Sequence, residues 1–96
     1  MILHILTKAP GSSAALQMQQ AVAGQDSVVL IEEAVTAALD PTWKAWQQCQ
    51  SRIYLLSEDL LARGLATIAV DNQLPTLEMG GFISLTEKYE KSVTWY

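Results

Sequence analysis

The chain has 96 residues and a mass of 10.5 kDa, enough for one domain spanning 1–96 and too little for a two-domain enzyme. Half of the residues are apolar and 17% are charged, with a mean hydropathy of +0.17, which excludes a disordered chain. Ten acids against six bases give a net charge of −4, and Lys8, Lys44, Arg52, Arg63, Lys88 and Lys91 are scattered, so no basic face for direct nucleic-acid contact is expected.

Apolar runs alternate with segments of helical period, the pattern of a parallel sheet flanked by helices. The first run, Ile2-Leu3-His4-Ile5-Leu6, is continuous enough for a strand covered on both faces. After Pro10-Gly11, Ser12 or Ser13 can cap a helix whose Ala14, Ala15, Met18, Ala21 and Val22 share a face, with Gly24 as its stop. Val28-Val29-Leu30-Ile31 reads as the second strand and Glu32 to Leu39 as a short helical stretch with acids at its positive end. Asp40-Pro41 looks like a cap and first-turn proline opening a helix through Trp43 and Trp46.

Ile53-Tyr54-Leu55-Leu56 is the third strand. Ser57 stands at a cap position, Glu58 and Asp59 suit a first helical turn, and Gly64 suits the stop. Leu65 to Gln73 fits either a strand or an irregular continuation of that helix, and the second is preferred. A short fourth strand is placed near Thr76-Leu77-Glu78. Gly80-Gly81 then opens a helix with Phe82, Leu85 and Tyr89 on one face, and Ser92 to Tyr96 forms a last strand suited to an edge or a partner contact.

Few residues carry chemistry. Cys49 is the one cysteine, so no internal disulfide can form; with no signal-type leader and no long apolar run, a cytoplasmic protein without a membrane span is expected. In open parallel sheets reactive groups lie beyond the carboxyl ends of the strands, whereas Cys49 precedes the third strand at its amino end, which favours a small, partly buried structural residue. The alternative is a reactive thiol, which needs an accessible thiolate. His4, the one histidine, cannot build a multi-histidine metal site and reads as a ring hydrogen-bonded to a neighbour. Ala9-Pro10-Gly11-Ser12-Ser13 lacks the Gly-Lys-Ser/Thr close of a phosphate loop, and no cofactor is expected. Ser57-Glu58-Asp59 reads as a capped helix start, Glu32-Glu33 as a solvated one. Trp43 and Trp46 suit core packing, while Trp95, with Tyr96 beside it, suits either the core or an interface.

Several blocks together resemble the TusB/DsrH family: Met1 to Leu6, Val35-Thr36-Ala37-Ala38, the run Leu56-Ser57-Glu58-Asp59-Leu60-Leu61-Ala62-Arg63-Gly64-Leu65, Gly81-Phe82-Ile83-Ser84-Leu85-Thr86, and Trp95. The resemblance spans nearly the whole chain. It implies a single flavodoxin-like three-layer α/β domain with a small, mostly parallel sheet of the DsrEFH kind. It also implies a hetero-oligomer with TusC/DsrF-like and TusD/DsrE-like subunits that relays persulfide sulfur, either toward 2-thiouridine at the tRNA wobble position or in sulfur oxidation. In some DsrH-like proteins the first helix carries a cysteine; here it reads Leu16-Gln17-Met18-Gln19-Gln20, which favours the tRNA route and a subunit that is not itself catalytic. On the same resemblance Ser57, Glu58 and Asp59 become a candidate docking edge for a basic patch on a neighbouring subunit, with Trp95 and Tyr96 as further interface candidates. A persulfide carrier through Cys49 and a free-standing homo-oligomeric ligand-binding domain are the remaining alternatives.

Overall fold

The computed structural model describes all 96 residues. Five strands, β1 (Ile2–Leu6), β2 (Ser27–Leu30), β3 (Ile53–Leu56), β4 (Thr76–Leu77) and β5 (Lys91–Trp95), form one all-parallel sheet in the order β4-β3-β2-β1-β5. The helices are α1 (Ser13–Ala21), a 3₁₀ helix (Glu32–Leu39), α2 (Lys44–Cys49), a short 3₁₀ turn (Gln50–Arg52), α3 (Ser57–Ala62), α4 (Ala66–Asp71) and α5 (Met79–Lys88). The parallel sheet flanked by helices is the one the sequence pattern implies, and the three layers are those the resemblance implies.

Handedness of the crossovers decides the layers. From β1 to β4 the chain steps across the sheet in one direction, so right-handed connections put α1, the 3₁₀ helix, α2, α3 and α4 on one face. The last connection runs back from β4 at one edge to β5 at the other, and α5 therefore covers the opposite face. Alternation along the strands follows suit. Leu6, Val28, Leu30, Ile53 and Leu55 pack with Ala15, Met18, Val35, Leu60 and Ala69 in the larger core. Leu3, Ile5 and Val29 point the other way, onto Phe82, Leu85 and Tyr89 of α5. No residue of α5 is fully buried, so this second layer is thin.

Local chemistry explains most boundaries. Ser12 caps α1, its Oγ accepting from the N–H of Ala15 at 3.1 Å. The helix stops at Ala21, with Val22 as the extended residue that ends it, before Gly24 is reached. Gly64, at φ +71°, supplies the left-handed turn after α3, a conformation that an L side chain resists. At Gly81 an added Cβ would lie 3.2 Å from Leu77 Cδ2, so the glycine lets α5 start close against β4.

Four expectations need correction. The helix placed through Trp43 begins only at Lys44, because Asp40 folds an Asx turn instead, Oδ1 accepting from Thr42 N–H at 3.3 Å and Thr42 Oγ1 at 2.9 Å. Ser57 is the first helical residue of α3 rather than its cap, and its side chain makes no capping bond. Residues 66–71 form a regular helix, seated by Leu65 and Ala69 in the core. The stretch after Ile31 is helical but wound as a 3₁₀ helix, entered through Glu32 at φ 53°.

Candidate functional site

The loops leaving β3 and β4 at their carboxyl ends diverge, one entering α3 on the first face and the other α5 on the second. Such a divergence opens a crevice between neighbouring strands, where ligands and partners of open α/β sheets are received. Ser57, Glu58, Leu61, Glu78, Met79 and Gly80 line the crevice found there, an open space of about 390 Å³.

Two carboxylates of α3 tie that helix to neighbouring elements. Glu58 Oε2 accepts from the backbone N–H of Met79 at 3.2 Å, satisfying one of the free donors at the start of α5. Asp59 Oδ2 accepts from the backbone N–H of Glu32 at 2.7 Å, holding the strained entry of the 3₁₀ helix. Of the acids of the expected docking edge, Glu58 therefore lines the crevice together with Glu78, whereas Asp59 turns to the 3₁₀ helix outside that lining. Beside them Leu61 is 73% and Met79 44% exposed, and Ile83, one turn further along α5, is 52% exposed. An acidic rim thus borders an uncovered apolar strip. Of the lining residues, Ser57 and Glu58 are among the expected docking residues, whereas Leu61, Glu78, Met79 and Gly80 are not; the signal available for the latter was the paired glycines following a short strand.

Cys49 ends α2 at the opposite, amino end of the sheet and is completely buried, more so than expected. Burial pushes its thiol above the usual value of 9.0; the charge of Arg52 opposes this and that of Asp26 reinforces it. At neutral pH the group is a protonated, sealed thiol, the reverse of what a sulfur nucleophile needs.

His4 is held as expected, by neighbours. Its Nε2 lies 2.9 Å from Asp26 Oδ2, and its Nδ1 accepts from Trp95 Nε1–H at 3.1 Å. Asp26 also accepts from the N–H groups of Ile2 at 2.8 Å and Ala23 at 3.1 Å. Burial works against the Asp26 charge, but the hydrogen bonds from His4, Ile2 and Ala23 outweigh it and hold the carboxyl below 3.8. Arg52 Nε closes the cluster by donating to the Asp26 carbonyl oxygen at 2.8 Å.

The tryptophans divide. Trp43 lies in the main core and meets Trp46 edge to face, with ring centroids 5.7 Å apart, while Trp46 Nε1 donates to the Asp40 carbonyl oxygen at 2.9 Å. The Trp95 indole turns inward onto His4 and packs on the main core, whereas Tyr96 is 84% exposed. A second cavity of about 410 Å³, between the 3₁₀ helix and the start of β4, is lined by Ala37, Trp46, Gln50, Asn72 and Leu74 among others and includes no titratable side chain. No group of three or more His, Cys, Asp or Glu side chains is placed to hold a metal ion, and no helix is long and apolar enough to cross a membrane.

A three-layer parallel α/β domain whose crevice bears carboxylates but neither thiol nor histidine, and whose one cysteine is sealed at the far end, is a module of the flavodoxin-like class without a sulfur nucleophile at its open site. Residues 8–92 match the family model described as DsrH like protein. The chain is also 28% identical over 96 residues to Protein TusB of Escherichia coli O81 (strain ED1a), covering 98% of this chain and the whole of that protein. Protein TusB of Shigella boydii serotype 18 (strain CDC 3083-94 / BS512) is similar to the same extent, 28% over 96 residues with the same coverage. The chain belongs to the TusB/DsrH family of small sulfur-relay subunits.

Proposed function

We propose that this chain is the non-catalytic small subunit of a sulfurtransferase complex and supports persulfide transfer for 2-thiouridine formation at the tRNA wobble position. Its partners are TusC/DsrF-like and TusD/DsrE-like subunits, met through the carboxyl-end crevice around Ser57, Glu58 and Asp59 and through Tyr96, with Trp95 fixing the terminal strand behind it. The observation that carries this reading is the contrast between the two ends of the sheet. The one thiol is buried and protonated at the amino end, while the end where parallel α/β sheets receive partners offers an acidic rim beside exposed Leu61 and Met79.

Charge and surface chemistry support a protein partner. A carboxylate rim repels a phosphate backbone and attracts Lys or Arg, and the adjoining apolar strip gains free energy when a partner covers it, about 25 cal/mol per Å². The absence of cysteine from α1 favours the tRNA route over sulfur oxidation, as the family resemblance implies. Co-expression with the neighbouring subunits, followed by native mass spectrometry and an assay of tRNA thiolation, tests the reading. A stable hetero-oligomer that thiolates tRNA is the expected result. A homo-oligomer indifferent to those subunits, or a +32 Da persulfide on Cys49 during turnover, contradicts it.

A further inference from the structure

The contacts of His4 settle its protonation. An indole N–H can only donate, so the bond from Trp95 Nε1 requires a bare Nδ1, and the one ring proton resides on Nε2, where it is given to Asp26 Oδ2. The ring is 2% exposed and stacks at 18° to the indole, with centroids 6.2 Å apart. A second proton, taken up from solvent onto Nδ1, would set one N–H against another in a buried site. One of the two rings must then move.

The surroundings decide which. Asp26 is itself pinned by the N–H groups of Ile2 and Ala23, and its bond to Nε2 strengthens once the imidazole carries charge, so the His4 ring stays. The Trp95 main chain also stays, because its carbonyl oxygen accepts from Thr7 N at 3.1 Å and Thr7 Oγ1 at 3.0 Å. The indole, half-buried at the margin of the main core, is the group left to yield. Other charges do not intervene: Arg52 reaches the Asp26 carbonyl rather than the ring, Cys49 is a neutral thiol, α1 and β2 carry no ionisable side chain, and Lys91 of β5 is exposed.

We propose that His4 is a protonation-dependent latch on the terminal strand, holding the Trp95 indole inward when neutral and releasing it when doubly protonated. The latch acts within this chain, so it stands or falls independently of the partner reading. Its effect is to present a large aromatic side chain beside exposed Tyr96 in acid and to withdraw it at neutral pH.

Nitrogen-15 NMR of the whole chain between about pH 8 and 5, the range in which histidine changes charge, tests it. The Trp95 indole signal is assigned with W95F, and the Trp46 indole, bonded to a backbone carbonyl, serves as internal reference. At the upper end His4 is expected as the Nε2–H tautomer with the Trp95 N–H protected from exchange. On acidification that protection falls at least about tenfold relative to Trp46, with the same midpoint as His4 protonation. His4→Gln, whose amide offers a donor and an acceptor without titrating, should hold Trp95 protection flat. In W95F, which removes the indole donor but keeps an aromatic ring, the bare His4 Nδ1 should resonate further downfield at the upper end of the range, as a nitrogen that has lost its hydrogen-bond donor, and this holds as a test even if His4→Gln folds poorly. Trp95 protection that survives His4 protonation, the same acid loss in His4→Gln, or a His4 Nδ1 signal unchanged in W95F would overturn the latch.

Discussion

Glu58, in the first turn of α3, accepts a hydrogen bond from the backbone N–H of Met79 at the start of α5, 3.2 Å away, and so joins two helices that cover opposite faces of the sheet. The bond is exposed, yet it links two residues that line the crevice. Glu58→Ala should therefore cost the lone subunit no more than about 1 kcal/mol, the lower part of the range for lost helix caps, while weakening partner capture more than that stability change explains. Urea titration beside a pull-down of partner subunits measures both. A stability loss with unaltered capture would confine Glu58 to the frame.

Leu61→Asp and Met79→Asp place charge on the apolar strip without touching the core, since both side chains are already exposed. The lone fold should melt within a few degrees of the unmodified chain, because surface changes commonly stay within about 0.5 kcal/mol. Partner capture should fall at least about tenfold, as expected when a central interface side chain is lost. Capture at full strength in both variants would show that this strip is not the docking face.

Acid should act on stability through Asp26. Its carboxyl is held below 3.8 in the folded chain, so its contribution is complete above that value and is lost as pH falls through the lower, folded value. Asp26→Asn removes the charge that accepts from His4, Ile2 and Ala23, and should destabilise the protein at neutral pH by an amount that shrinks below 3.8. Urea midpoints of the two proteins at several pH values test this. A constant difference down the acid limb would show that the Asp26 charge contributes nothing.

The strands were legible in the sequence because buried parallel strands are continuous apolar runs, and β1 and β3 match their runs residue for residue. Residues 66–71 were harder: Ala66-Thr67-Ile68-Ala69-Val70 reads as a strand or, by preference, as an irregular continuation of α3, until Leu65 and Ala69 are seen to seat a regular helix on the core. The last strand is shifted by one residue from the reading, running Lys91–Trp95, which leaves Tyr96 beyond it. The site was half legible. Ser57-Glu58-Asp59 announces a helix start, but what its carboxylates bind lies 21 and 27 residues away, and the His4–Asp26 pair is separated by 22. Such pairings follow from topology, which local pattern does not encode.

Trp95→Ala should destabilise the lone subunit by about 2–4 kcal/mol, because the indole packs on the main core and donates to His4. Trp95→Phe should cost less, keeping the ring and losing only the bond. Thermal melting beside partner capture separates the roles of the terminal strand. A Trp95→Ala protein that melts unchanged but no longer binds its partners would place the indole in the interface instead of the fold.

The claim that this chain supports sulfur transfer without carrying sulfur is tested most directly by labelling. Cys49→Ala should cost about 1–2 kcal/mol of stability through the cavity it leaves. Assembled with its partners and supplied with ³⁵S-labelled donor, the Cys49→Ala subunit should pass label to tRNA at the rate of the unmodified complex, with no label on this chain in either case. Label on Cys49 of the unmodified subunit, or loss of transfer in a fully assembled Cys49→Ala complex, would contradict the account.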